Sequence, residues 1–188
     1  MITVSAAKRV SKAQERALQL RQDFWSDISE DSLWHRKKHA GYTSIPRTMP
    51  ILMNIIDALS KNQPAGRTYF VLWSRTYDES LLIIDNPMTL AWEAGFSGER
   101  ALSTWKQRMR TLESLGFILA KDGAAGAFHY VLLLNPHQVV WKLKDRIQEQ
   151  MFRQLIDRAN DIGAKDLKPP TPITDSRSPK GKRRGRTP

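Results

Sequence analysis

The stretch TLAWEAGFSGERALSTWKQRMRTLESLGFILAKDGAAG, residues 89–126, reads as a helix, a tight turn, a longer helix, and a strand entering a glycine-rich loop. Leu90, Ala91 and Ala94 give the first helix an apolar side. Gly95 ends it, because glycine enters the left-handed conformation without a Cβ penalty, and Ser97 is placed to cap the helix that follows. That second helix, about Gly98 to Leu115, sets Leu102, Trp105, Met109 and Leu112 on one face and predicts a core-facing side. With successive residues stepping roughly 100° around the axis, Arg100, Ser103, Thr104, Gln107 and Thr111 fall on the far side. Arg110 lies at one edge of that face and Arg108 at the other. Gly116 stops the helix, Phe117 to Leu119 begin a strand, Asp122 to Gly126 supply a turn, and Phe128 to Leu134 return as a second strand.

Working outward, Pro46 and Pro50 bracket a helix start, and Ile51, Leu52, Ile55, Ile56, Ala58 and Leu59 give it a broad apolar face that ends near Pro64-Ala65-Gly66. Thr68 to Asp78, with Tyr69, Phe70, Leu72, Trp73 and Tyr77, is too apolar for a surface helix and predicts a core one. Leu81 to Ile84 form a short apolar run before Asp85-Asn86-Pro87, as a strand does. Trp92 and Trp105 are expected to bridge the two helices of the central stretch, each burying a large aromatic surface.

Ala91, Gly95, Phe96 and Ala101, followed by Arg110, Leu112, Leu115, Gly116, Phe117 and Ile118, resemble the winged helix-turn-helix family of DNA-binding domains over about Gly66 to Pro136. The resemblance implies a mainly α fold with a small β-hairpin wing, in which the strand at Leu81 to Ile84 pairs with the wing. It also implies that the second helix enters the major groove while the wing meets the backbone or the minor groove. The DNA face would then comprise Ser97, Arg100, Ser103, Thr104, Gln107, Arg108, Arg110 and Thr111, with Lys121 and His129 on the wing. Arginine pairs bidentately with guanine and glutamine with adenine, whereas a wing lysine mainly meets phosphate. The family includes bacterial transcription regulators and plasmid or phage replication initiators. The expected role is therefore that of a regulator or a mobile-element replication or maintenance factor, cytoplasmic and nucleoid-associated.

The flanks divide the remainder: an N-terminal amphipathic helix and basic linker over 1–45, the winged-helix region over 46–135, a C-terminal helix over 136–162 and a basic tail over 163–188. Ser5 to Trp25 places Val10, Ala13, Ala17, Leu20 and Phe24 on one face, suited to packing on the domain or on a second copy. Asp27 to Gly41 reads as a linker in which His35 and His39 are solvated. Asn135-Pro136 signals a helix start, and Val139, Val140, Leu143, Ile147, Met151, Leu155 and Ile156 continue an apolar stripe to about Ile162 in what reads as one long helix. That stripe drifts around the axis, so it marks no regular coiled coil, although it leaves a homodimer through the terminal helices open. From Gly163 onward prolines and bases take over, and the tail is expected to be disordered.

Charge supports a polyanionic partner. Of 188 residues, 30 are Lys or Arg and 19 are Asp or Glu, a formal charge of +11. Counted along the chain, residues 1–45 carry +3, residues 46–162 carry +2 and residues 163–188 carry +6, so the tail holds over half the surplus. Lys180, Lys182, Arg183, Arg184 and Arg186 are expected to add affinity for nucleic acid without sequence information. Cysteine is absent, which excludes a disulfide framework and a thiolate zinc site. No run approaches the roughly 18 uninterrupted apolar residues of a membrane helix, and the N-terminus lacks the apolar core of a secretory signal. No phosphate-binding loop, nucleophile elbow or His-Glu-x-x-His helix occurs, so neither catalysis, a cofactor nor a metal is expected. Two functions compete: sequence-directed binding of double-stranded DNA, and a winged-helix protein-interaction adaptor whose tail touches nucleic acid non-specifically.

Overall fold

A computed structural model describes residues 4–168, and the chain divides between Tyr42 and Thr43 into two compact units. Among the described residues there are seven α-helices and one three-stranded antiparallel sheet. The first unit holds α1 (Val4–Phe24) and a single 3-10 turn at Glu30–Ser32, capped by the Ser29 hydroxyl, which accepts from the Asp31 N–H at 3.3 Å. An ion pair between Arg21 and Glu30 holds that turn to the end of α1. Leu20 and Phe24, expected on a packed face, are exposed.

The second unit runs α2 (Met49–Leu59), α3 (Gly66–Ser74), β1 (Leu81–Ile83), α4 (Pro87–Glu93), α5 (Ala101–Leu115), β2 (Ile118–Gly123), β3 (Gly126–Leu133), α6 (Pro136–Lys142) and α7 (Glu149–Asp161). The sheet order is β1-β3-β2, so the strand preceding α4 pairs with the far strand of the hairpin. Local chemistry accounts for the boundaries. Asn86 and Asn135 each cap a helix, their side-chain oxygens accepting two backbone N–H groups, with proline at the first helical position where no N–H is missed. Helices α4 and α5 both end in the same backbone arrangement. The Phe96 N–H donates to Ala91 O and the Phe117 N–H to Leu112 O, with Gly95 and Gly116 left-handed at φ of 86° and 81°.

One core serves all these elements. Met49, Leu52, Ile55 and Ile56 of α2, Tyr69 and Leu72 of α3, Trp105, Met109 and Leu112 of α5, Phe117, Ile118 and Val131 around the sheet, Val140 of α6 and Leu155 of α7 are buried together. Helices α6 and α7 thus belong to the same core as the elements before them. Residues 136–162 are not the single helix that the sequence predicts. A turn at Lys144–Arg146 and extended backbone at Ile147 and Gln148 separate two helices, and Trp141 meets Phe152 across the break with ring centres 6.0 Å apart. Breaking the helix lets both Val140 and Leu155 reach the core, which a drifting stripe on one straight helix does not allow.

Trp105 and Trp92 do not bridge α4 and α5. Trp105 is fully buried, its ring edge-on to Phe128 at 6.1 Å, whereas Trp92 is 61% exposed. Phe128 adopts φ of 65°, a left-handed conformation unusual for a bulky residue and costing about 1–3 kcal/mol. It sits in a bulge between the pairs Lys121–Tyr130 and Gly123–Gly126, where the strand alternation breaks and Phe128 and His129 both turn inward. The hairpin turn is accordingly tighter than expected, since Asp122 and Gly123 lie within β2.

A polar latch, buried at Thr48 and His137 and partly open at Asp166, ties three segments of the second unit. His137 Nε2 lies 2.8 Å from Thr48 Oγ1, and its Nδ1 lies 2.9 Å from Asp166 Oδ1. The Asn135 amide donates to Asp166 Oδ2 at 2.8 Å. With Nδ1–H donating to the carboxylate, the other ring nitrogen is left to meet the Thr48 hydroxyl. Partial burial pushes the Asp166 carboxyl up, but the hydrogen bonds from Asn135 and His137 outweigh it and hold the group below its ordinary value.

Trp105→Ala is expected to cost about 3–5 kcal/mol in urea unfolding, and Trp92→Ala to stay within about 0.5 kcal/mol of the parent. A carboxylate with a lowered folded-state pKa contributes stability above its unfolded value, near about pH 4, and loses it as pH falls through the folded one. Asp166→Asn is therefore expected to be less stable than the parent at pH 7, with the difference closing in acid, as read by thermal melts across pH.

Candidate nucleic-acid interface

The polar side of α5 is defined by what its other side buries. Ala101, Trp105, Met109, Leu112 and Leu115 face the core, with Leu102 half-buried beside them. Directly opposite, Arg100, Ser103, Gln107, Arg110 and Ser114 form an exposed stripe with steps of three and four residues. Arg110 is therefore central to the outward face rather than at its edge. The Arg100 side chain begins the stripe from the cap position, because α5 starts at Ala101 and not at Gly98. Ser97 does not cap the helix: Arg100 occupies that position with no capping side-chain bond, and Ser97 is exposed in the preceding turn. Gly98, left-handed at φ of 74°, carries the chain through that turn.

The remaining predicted residues separate into a flank and an interior. Thr104, Arg108 and Thr111 are half-buried on one side of the stripe. The Arg108 guanidinium lies 5.9 Å from the centre of the Phe96 ring, and its Nε is buried without a partner. The Thr111 hydroxyl lies 3.1 Å from Gln107 O and 3.4 Å from Gln63 Oε1, which joins this flank to the loop before α3. Lys121 is exposed on β2 opposite Tyr130. His129 is not available on the hairpin surface. It is 5% exposed, its Nδ1 is 3.1 Å from Ile84 O, and its ring covers Gly123 so closely that a Cβ there would lie 2.3 Å from it. Regular alternation is the reason, since His129 falls in step with the buried Val131 and Leu133, whereas Phe128 turns inward out of step at the bulge. Lys180, Lys182, Arg183, Arg184 and Arg186 lie outside the described residues.

Two features escape the sequence reading. Arg67 reaches across from α3 to Gly95, where any side chain would meet its guanidinium within about 3 Å. Nothing in a one-residue pattern joins positions so far apart. The second is the outer face of the sheet, where Leu81, Ile83, Leu119, Tyr130 and Leu132 are all exposed. In the run Leu81 to Ile84 both faces are apolar, so periodicity alone does not say which residues are covered.

The frame behind the stripe is firm. Arg75, at the C-terminal cap of α3, grips Glu93 of α4 through two hydrogen bonds, one of them 2.7 Å from Nε to Oε2. That bond holds the Glu93 carboxyl below its ordinary range, outweighing the opposing effect of partial burial. Between Phe96 and Lys121 there are five bases and two acids, so the surface around α5 is net positive. Chemically the arrangement offers a row of two guanidiniums, an amide and two hydroxyls along the cap and body of a helix of 15 residues, roughly 22 Å long. Among the described residues no helix is long and apolar enough to cross a membrane, and no group of three or more His, Asp or Glu side chains is placed to hold a metal. No protein-family model, curated protein or solved structure matches this chain.

The two neighbouring arginines should differ in stability measurements. Arg108→Ala, which loses packing on Phe96, is expected to cost about 1 kcal/mol in urea unfolding. Arg110→Ala, which removes an outward side chain, should stay within about 0.5 kcal/mol of the parent.

Proposed function

We propose that residues 66–134 form a winged helix-turn-helix that binds double-stranded DNA without catalysis, cofactor or metal, α5 lying in the major groove and the β2–β3 hairpin serving as the wing. The observation that carries this reading is the exposed stripe Arg100, Ser103, Gln107 and Arg110 on a helix whose opposite side is locked in the core. The order α3-β1-α4-α5-β2-β3, with β1 paired to β3, is the order that the resemblance implies. A helix fits the major groove, and arginine and glutamine match the edges of guanine and adenine there. Lys121 on the wing meets phosphate. The net charge of +11 supplies the non-specific attraction that any such reader needs. In this reading the protein is a bacterial transcription regulator or a plasmid or phage replication or maintenance factor, cytoplasmic and nucleoid-associated. Two copies pair through the terminal helices on a two-part site.

A second reading has its own observation. The five exposed apolar residues on the outer sheet face suit a protein partner better than a phosphate backbone, as an interaction adaptor would require.

Binding to a selected duplex separates the two. Arg100→Ala and Gln107→Ala should each weaken the preferred site by about 1–3 kcal/mol and relax the base preference at one position. Lys121→Ala should weaken all duplexes alike and lower the salt slope by about one. Unchanged site affinity in both helix variants would sink the groove reading and leave the adaptor.

A further inference from the structure

We propose that the first unit carries a separate site for unpaired nucleic acid strands, built from Trp34, Tyr42 and the basic turn Arg36-Lys37-Lys38. It does not rest on the groove reading of α5, which concerns duplex DNA and another unit of the chain.

Between Ser32 and Tyr42 there are three bases, two histidines and no acid. This segment, which the sequence presents as a linker, is a closed turn. The Lys38 and His39 N–H groups donate to His35 O at 2.8 and 3.0 Å, and the Lys37 N–H donates to His35 Nδ1 at 3.2 Å. The His35 N–H donates to His39 Nδ1 at 2.9 Å. Both imidazoles are thus engaged in shaping the turn, and the three consecutive bases between them are exposed.

Three rings stand together at its base. His39 stacks on Trp34 with an interplanar angle of 18° and centres 6.2 Å apart, and Tyr42 meets Trp34 edge-on at 6.1 Å. Trp34 is nevertheless 64% exposed and Tyr42 54%. An indole positioned by two neighbours and still open to solvent is a platform for another flat ring. Nucleobases provide one, and every base has a π-face, so such stacking tolerates any sequence while neighbouring cations follow the phosphates. A duplex keeps its bases stacked inside and offers the platform nothing. An anionic membrane fits less well, because between Trp34 and Tyr42 the sole aliphatic side chain is that of Ala40.

The test uses the full chain and a fluorescein-labelled oligothymidylate of about 12 nucleotides, a length one small binding module covers. Anisotropy titrations compare it with a mixed-sequence duplex, and sedimentation tests vesicles of phosphatidylserine and phosphatidylcholine. Trp34→Ala is expected to weaken oligothymidylate binding roughly five-fold or more, and Trp34→Phe, which keeps a flat ring, by clearly less. Duplex affinity should change by less than about two-fold, since phosphate contacts there come from elsewhere. Replacing Arg36, Lys37 and Lys38 together with alanine should flatten the salt dependence toward the oligothymidylate. Because Trp34 is exposed, circular dichroism should show each variant folded as the parent. Arg100→Ala with Gln107→Ala should lose a selected duplex and keep the oligothymidylate, so the two sites fail separately. The proposal is overturned if Trp34→Ala binds oligothymidylate like the parent, if it loses the duplex to the same degree, or if Trp34 matters for vesicles and not for the oligonucleotide.

Discussion

The contact between Trp105 and Phe128 sets the relation between α5 and the hairpin. Trp105 is fully buried on the inner side of α5, and Phe128 reaches it only by adopting a left-handed backbone. A bulky residue holds that conformation when packing over-determines it, and here two large rings do so. The consequences run outward in both directions. The bulge adds Phe128 to the inward side beside His129, whose ring lies against Gly123 and leaves no room for a side chain there. On the helix, anchoring Trp105 aims Ser103, Gln107 and Arg110 away from the core. The outward stripe is therefore a consequence of core packing and does not depend on the polar residues themselves.

That dependence explains what could be read from the chain and what could not. Helical spacing alone places Trp105, Met109 and Leu112 inside and Gln107 outside, and Gly95 and Gly116 mark both helix ends, because these signals are local. The position of Ser97 misleads, since a capping residue type says nothing about whether a left-handed Gly98 will delay the helix by a turn. Trp92 misleads for another reason: a tryptophan carries the same apolar weight whether it is buried or exposed. The inward His129 keeps step with Val131 and Leu133, but the inward turn of Phe128 has no signal in the strand pattern, because a bulge shifts alternation without any characteristic residue. The break at Ile147 and Gln148 is equally silent, with neither proline nor glycine nearby. It follows from the need of two short helices to reach one core.

The latch of Thr48, His137 and Asp166 gives residues just beyond α7 a structural part. Asp166 lies in the stretch where composition turns basic and proline-rich, yet its carboxylate closes the hydrogen bonding of a buried histidine on α6. A truncation meant to remove only the basic tail has to keep residue 166, or the loss of the latch will be mistaken for loss of the tail. The electrostatics separate in the same way. Most of the surplus charge falls outside α5 in the sequence, in residues 1–45 and 163–188, whereas α5 and its cap contribute only a few charges to the exposed stripe.

The most direct measurement is selection from a pool of random duplexes by a protein ending at residue 168, repeated at two salt concentrations and followed by sequencing of the bound fraction. The account predicts an enriched motif at both salts, with weaker overall binding than the full chain shows because the basic tail is gone. Uniform recovery of all sequences, or retention that disappears with the tail, would contradict it and leave α5 as a surface with no base to read.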